Sequence, residues 1–284
     1  MNGRRSAPNV MEEALGYFRL FQQTPSHLKQ VPEPRQHPDR PATKPLVKKL
    51  RGLRLSGMAN SLDEQSQALS SRRLSFEDRL DLMIEQEMQV REKRRFLIRL
   101  KKANLRLDAR LQDLDYGPER GLDRALINAL ASCNWVLQSK NILISGPLGT
   151  GKTFIACALM RQACFLGFKA LYQRLPALLR QMDVAREKGK YNKLLTELAN
   201  IDVLALDDWD QEPWQRRNWL DLLEIIEERL GKKPTLVAAR TPLPDWDLDN
   251  EDPSATGPIV DRLIHNAHVL RLQGESLRSK YPES

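Results

Sequence analysis

The sequence predicts an α/β fold with a mainly parallel sheet, preceded by a small all-helical domain. After residue 117, short apolar segments alternate with helical stretches of about 10 to 20 residues, which is typical of a parallel sheet covered on both faces. A glycine-rich loop follows the first of these segments. Before residue 117, apolar residues recur at helical spacing, as at Leu46, Leu50 and Leu53.

Composition excludes several classes of protein. No apolar run reaches the roughly 18 residues that a membrane helix needs. No apolar stretch follows Arg4 and Arg5, so we expect no secretory signal. Cys133, Cys157 and Cys164 lack metal-ligand spacing, and they predict buried thiols in a reducing cytoplasm.

The chain divides into three predicted parts. Residues 1–44 are rich in proline and predict a flexible extension. Residues 45–116 predict the helical N-terminal domain. Within it, Ser75 and Asp78 form a capping-box pattern, and nothing interrupts the helix that follows until about Ala103. Residues 117–284 predict the α/β domain.

Positive charge is concentrated ahead of the glycine-rich loop. Residues 1–120 hold 24 Lys and Arg against 16 Asp and Glu, whereas residues 121–284 hold 21 of each. Residues 91–110 carry nine basic and two acidic side chains. Such a segment attracts polyanions, and nucleic-acid contacts from Arg94, Arg95, Lys101 and Lys102 are one interpretation. A solvated helix face is the other, and both stay open.

Five segments are the predicted strands of the sheet. Each is short, apolar and followed by a turn or a helix. They are residues 141–145, 169–173, 202–206, 235–239 and 268–272.

The stretch SGPLGTGKTFIACAL, residues 145–159, predicts a phosphate-binding loop. Gly146, Gly151, Lys152 and Thr153 satisfy G-x-x-x-x-G-K-[ST] between an apolar strand and an apolar helix. Its backbone N–H groups and the helix N-terminus would cradle phosphates, Lys152 would reach the β- and γ-phosphates, and Thr153 would ligate Mg²⁺. The predicted nucleotide-binding residues are Gly146, Pro147, Leu148, Gly149, Thr150, Gly151, Lys152, Thr153 and Phe154.

Two acidic residues end the third predicted strand. In IDVLALDD, residues 201–208, Asp207 would hold Mg²⁺ through water and Asp208 would orient or deprotonate the attacking water. The sequence therefore predicts hydrolysis of a nucleoside triphosphate. ATP is the default, although no residue is seen to select adenine.

Several motifs in order resemble the IstB-like AAA+ ATPases, helpers of DNA transposition that are related to the DnaC helicase loaders. GPLGTGKT, LALDDW, RLIHNAH (262–268) and LQGESLR (272–278) carry the resemblance, with LRGLRLSGMANSL (50–62) and SFEDRL (75–80) in the helical domain. Together they span about residues 45–280. The resemblance implies an AAA+ core, ATP, Mg²⁺, binding to double-stranded DNA and an integrase-type transposase partner, IstA.

The resemblance also implies roles for particular residues. Arg262 stands where the family has an arginine finger that reaches a neighbouring subunit, which implies a homo-oligomer with ATP sites between subunits. Arg278 stands at a second-sensor position. The segment 174–195 faces DNA in the DnaC-like group, which would give phosphate contacts to five cations; a solvated helix pair is the alternative. These cations are Arg180, Arg186, Lys188, Lys190 and Lys193.

Three positions depart from the family pattern. Asp210 replaces a glycine, Phe154 replaces a common histidine, and Ala239-Arg240-Thr241 replaces the polar first sensor. The last departure predicts slow hydrolysis, with ATP binding alone sufficient for assembly on DNA. Two alternatives remain: a DnaC-like helicase loader acting on single strands, and a DNA assembly protein that binds ATP without hydrolysing it.

Overall fold

The computed structural model describes residues 43–68, 70–209, 215–242 and 253–277. The chain forms two compact units that divide between Ile98 and Arg99. The domain boundary that the sequence predicts, at 116/117, stays a prediction. Residues 1–42 of the predicted extension lie outside the described residues, as does Asp210.

The first unit is helical, as predicted. Its helices are α1 (Thr43–Gly52), α2 (Ser56–Gln67), a 3₁₀ turn (Ser70–Arg73) and α3 (Phe76–Ala103), which continues into the second unit. The predicted capping box begins α3: Ser75 Oγ accepts from the Asp78 N–H at 3.1 Å, and Asp78 Oδ2 accepts from the Ser75 N–H at 3.3 Å. These bonds satisfy two donors that a helix start leaves open.

A buried carboxylate joins α2 to α3. Glu87 Oε2 accepts from the N–H groups of Gly57 at 2.7 Å and Met58 at 3.3 Å. A Cβ at position 57 would lie 2.5 Å from Glu87 Cα, so glycine allows the two helices to approach closely here. Glu87 thus caps the N-terminus of α2 from a neighbouring helix.

The second unit alternates strands and helices, as predicted. Two 3₁₀ turns, Leu111–Asp113 and Pro118–Arg120, precede the sheet. The elements that follow are α4 (Arg124–Ala131), α5 (Asn134–Leu137), β1 (Asn141–Ser145), α6 (Lys152–Phe165), β2 (Ala170–Arg174), α7 (Leu175–Glu187), α8 (Tyr191–Asn200), β3 (Val203–Asp207), α9 (Arg216–Arg229), β4 (Thr235–Ala239), α10 (Pro253–Ile264) and β5 (Ala267–Arg271).

The five described strands form one parallel sheet in the order β2-β3-β4-β1-β5. The predicted strands are confirmed: β1 and β4 have the predicted bounds, and the others are shifted by one residue. Ser145 pairs with Ala239 and Arg174 with Asp207 in the register. The carboxyl ends of these strands therefore meet at one edge, where the glycine-rich loop begins.

The inner strands are apolar because both faces of the sheet are covered. Every residue of β1, β3 and β4 is buried, whereas the edge strands β2 and β5 are only partly so. A core of β3, β4, α7 and α9 side chains includes Trp209 and Trp219, whose ring centroids lie 6.4 Å apart. Among the described helices, none is long and apolar enough to cross a membrane.

Candidate nucleotide-binding site

The glycine-rich loop curls between the carboxyl end of β1 and the first residue of α6. Gly149 and Gly151 adopt φ of +79° and +92°, a region that side chains rarely occupy. A Cβ on Gly149 would lie 2.0 Å from Ser276 Oγ. The loop also contacts the C-terminal segment, because the N–H of Leu277 donates to the Gly149 carbonyl at 3.0 Å. Glycine is therefore required by backbone conformation and by space.

Lys152 lies over this loop. It is the first residue of α6, and its Nζ donates to the carbonyls of Gly146 at 2.6 Å and Pro147 at 2.7 Å. The half-buried ammonium and the positive end of a 14-residue helix thus face the same concave backbone. Both favour an anion there.

Thr153 and Asp207 are in direct contact, although they are 54 positions apart. Thr153 Oγ1 donates to Asp207 Oδ2 at 2.6 Å, and the Tyr172 hydroxyl donates to the same oxygen at 2.7 Å. Asp207 is only 2% exposed. A hydroxyl and a carboxylate are the oxygen ligands that Mg²⁺ prefers, with phosphate and water oxygens completing its shell, so these residues fit a magnesium ion.

Tyr172 was missed by the sequence analysis. It lies on β2, and only the pairing of β2 with β3 brings it to Asp207. Burial and the charge of Asp207 raise the pKa of Tyr172 well above its usual value, so the hydroxyl remains a donor. Its position within a predicted strand was the one signal in the sequence that could have pointed to it.

Asp208 adopts an unusual backbone conformation and is held by arginines. Its φ is +59°, and its Oδ2 accepts from Arg174 Nε and lies 3.5 Å from Arg106 Nη1. The hydrogen bond that Arg174 donates to Asp208 raises the pKa of Arg174. Sequence reasoning missed both arginines, because neither lies near Asp208 along the chain.

A cavity of about 570 Å³ adjoins the loop and both acidic residues. The cavity is lined by Leu107, Leu114 and Leu277, together with Leu148, which is on the loop itself. Apolar side chains beside a phosphate cradle suit a flat base attached to a charged chain.

Known proteins resemble this chain over most of its length. The family described as IstB-like ATP binding protein matches residues 48–283. This chain belongs to that family. The insertion sequence ATP-binding protein y4pL of Sinorhizobium fredii is 40% identical over 234 residues, which cover 82% of this chain and 96% of that protein. The IS1162 ATP-binding protein of Pseudomonas fluorescens is 42% identical over 201 residues, 70% of this chain and 87% of that protein.

The fold is also that of solved proteins. AMPPCP-bound DnaA from Aquifex aeolicus superimposes with a TM-score of 0.52 at 21% identity, over 62% of this chain and 54% of that one. The predicted AAA+ P-loop fold and the resemblance to the IstB-like proteins are thus confirmed. ATP binding is the property that this family's description names.

In this IstB-family chain, the stretch that the resemblance predicts at the first-sensor position lies beside the loop. Ala239 ends β4 next to Ser145, and the Arg240 carbonyl accepts from the Gly146 N–H at 3.2 Å. Ala239 and Arg240 both line the cavity, so the departure from the family pattern lies at the site itself. Phe154 lines the same cavity.

Arg262 lies near the amino end of β1, whereas the glycine-rich loop follows the carboxyl end of that strand. It is near the end of α10, its main-chain carbonyl is 3.4 Å from Asn141 Nδ2 at the start of β1, and its Nη2 pairs with Glu227 at 2.9 Å. The loop follows the end of β1, so Arg262 does not reach the loop of its own chain. Arg278 lies outside the described residues.

The predicted DNA-contacting cations differ in their surroundings. Arg186 Nη2 pairs with the buried Asp221 at 2.5 Å, and its guanidinium stacks on Tyr191 at 4.2 Å. The other eight are exposed: Arg94, Arg95, Lys101, Lys102, Arg180, Lys188, Lys190 and Lys193. Arg186 is therefore engaged inside its own unit, which a charge pattern does not reveal.

Proposed function

We propose that this IstB-family protein is a cytoplasmic Mg²⁺-dependent ATPase that assembles on double-stranded DNA and recruits a partner transposase. The observation that best supports ATPase activity is that Lys152, Thr153 and Asp207 lie together at the carboxyl ends of the strands. The names of two relatives support a role in an insertion sequence, because both are named as ATP-binding proteins of insertion sequences.

The nucleotide would occupy the cavity with its phosphates in the loop. Lys152 would exchange its two carbonyl partners for β- and γ-phosphate oxygens, which bind an ammonium more strongly because they are charged. Thr153 and Asp207 would hold Mg²⁺, directly and through water. The ion would neutralise charge on the phosphates. Asp208 would orient or deprotonate the attacking water once its carboxylate leaves Arg174.

A second subunit would complete the site. Arg262 lies at the far edge of the sheet from its own loop, and its side chain is 30% exposed and pairs with the half-exposed Glu227. Such a residue fits a finger that enters the next subunit's site and stabilises charge in the transition state. Assembly and hydrolysis would then depend on each other.

DNA would contact the exposed cations of α7 and α8. Arg180, Lys190 and Lys193 surround one shallow groove between these helices, beside a single acidic residue, Glu197. Contacts of this kind bind phosphates without reading sequence and weaken with salt. The partner would be an IstA-like transposase encoded in the same insertion sequence.

Two observations favour a second candidate, an assembly protein that binds ATP without turning it over. Ala239 carries no polar group at the first-sensor position, and Asp208 is engaged by Arg174. A helicase loader acting on single strands is the third candidate. It shares the fold but differs in partner.

The test is the ATPase rate without DNA, with duplex and with single strands, together with the size of each mixture. The wild type is compared with Lys152→Ala and with Lys232→Ala, which removes an exposed lysine paired with Glu228 far from the loop. Duplex-stimulated turnover that only Lys152→Ala abolishes supports the proposal. Stimulation by single strands favours the helicase loader, and nucleotide-dependent assembly without turnover favours the assembly protein.

A further inference from the structure

A buried arginine that no motif contains lies beneath the phosphate-binding loop. Arg120 belongs to the 3₁₀ turn Pro118–Arg120 and is 4% exposed. Its Nη2 donates to the carbonyl of Thr150 at 2.6 Å, and Thr150 itself is completely buried. The guanidinium therefore contacts the backbone of the loop directly, and Arg120 also lines the cavity beside it.

The rest of this guanidinium is poorly satisfied. Among the described residues, neither Nε nor Nη1 has a hydrogen-bond partner, and the nearest carboxylate oxygen, Asp115 Oδ2, is 3.7 Å from Nη1. A buried cation with so few partners is costly for folding. A buried guanidinium that costs stability in this way points to a role for Arg120 other than stabilising the fold.

The backbone holds Arg120 firmly in place. Its N–H donates to the Gly117 carbonyl at 2.9 Å, and its carbonyl accepts from the Gln273 N–H at 3.0 Å. The guanidinium thus extends to the loop from a backbone that is hydrogen-bonded through both its N–H and its carbonyl.

We propose that Arg120 is a positioning residue for the phosphates, an inference that rests on the proposed nucleotide site. In a trans peptide the carbonyl and the following N–H point in opposite directions. Because Arg120 holds the Thr150 carbonyl, it also fixes the direction of the Gly151 N–H, one of the loop amides that would cradle phosphates. The same contact places a weakly screened positive charge directly beside the loop.

This role concerns the β-phosphate and not the base. AMP lacks the phosphate that the centre of the loop would hold, whereas ADP and ATP carry it. Loss of Arg120 should therefore weaken ADP and ATP binding while leaving AMP binding nearly unchanged. A general loss of stability would weaken all three alike.

The experiment compares ADP and AMP affinities by calorimetric titration of wild type, Arg120→Lys, Arg120→Gln and Arg229→Lys. Arg229 is the matched control: it is 1% exposed and also donates to main-chain carbonyls, those of Leu198, Ile201 and Pro234, on the far side of the sheet. We expect both Arg120 variants to bind ADP about ten- to a hundredfold more weakly, with AMP changed by less than about twofold. Arg229→Lys should keep the wild-type ratio.

An unchanged ratio of ADP to AMP affinity in folded Arg120→Lys would overturn the inference. If the Arg120 variants do not fold, nuclear magnetic resonance of the wild type decides. Addition of ADP, but not AMP, should move the Gly151 amide and Arg120 Nε protons together, and unmoved signals would overturn the role. Failure of the proposed function looks different, because wild type would then bind no ADP or Lys152→Ala would bind it equally well.

Discussion

Arg174 donates a hydrogen bond from Nε to Oδ2 of Asp208, the carboxylate proposed to act on the attacking water. Arg174 ends β2 and lies directly before α7, the helix that carries the exposed Arg180. The predicted base is therefore held by the residue that joins the sheet to the proposed DNA-binding helices.

Arg174→Ala should raise the ATPase rate measured without DNA. Without the Arg174 hydrogen bond, the Asp208 carboxylate can accept one from water, and we expect an increase of about fivefold, equivalent to about 1 kcal/mol of barrier. Arg180→Ala, which removes an exposed guanidinium from α7, is the control and should leave the basal rate unchanged. A fall in the basal rate of Arg174→Ala would show that the arginine assists hydrolysis instead.

Tyr172→Phe should destabilise the protein and raise the Mg²⁺ concentration required for turnover. The substitution removes one of the hydrogen bonds to the buried Asp207 and costs about 1–3 kcal/mol in unfolding free energy. Tyr116→Phe serves as control, because the Tyr116 ring stacks on Arg124 outside this network. An unaltered Mg²⁺ dependence in Tyr172→Phe would mean that Tyr172 does not orient Asp207 for the metal.

Gly57→Ala should destabilise the helical unit. The added Cβ would lie 2.5 Å from the backbone of Glu87, and overpacking of this kind costs about 1–3 kcal/mol. Gly52→Ala, where a Cβ has nothing within 4 Å, should be neutral or slightly stabilising in urea denaturation. Equal midpoints for the two variants would contradict the close helix contact.

Acid should weaken the same unit through Glu87. Burial by itself raises the pKa of Glu87, but the hydrogen bonds from Arg91, Gly57 and Met58 outweigh it and leave the pKa below 4.5. A carboxyl whose folded pKa is lowered stabilises above its unfolded value, and this stability is lost as pH falls through the folded value. Urea denaturation of Glu87→Gln should therefore show a smaller loss of stability below pH 4.5 than the wild type shows.

Alanine substitutions at Arg186 and Lys190 should have different effects on stability and on DNA binding. Arg186→Ala leaves Asp221, 4% exposed, without its cation and should cost about 3 kcal/mol in unfolding free energy. Lys190→Ala should leave stability unchanged and lower the slope of log affinity for duplex DNA against log salt by about 1. If Arg186→Ala alone reduced the salt slope, Arg186 would be the phosphate contact.

The local features of this protein were readable from its sequence. The glycine-rich loop, the apolar strands, the acidic pair and the Ser75–Asp78 cap are each a pattern of neighbouring residues. Their meaning depends on backbone conformation and hydrophobic period, which neighbours determine. The order of these motifs also sufficed for membership of the IstB-like family.

Only the tertiary structure decided which distant side chains meet. Parallel pairing of β2 with β3 brings Tyr172 to Asp207 and Arg174 to Asp208, and folding of the 3₁₀ turn before the sheet brings Arg120 beneath Thr150. No periodicity encodes these contacts, because their partners are about 30 or more positions apart. A charged residue in a sequence is compatible with solvent, with DNA or with a buried partner, and only packing distinguishes these three surroundings.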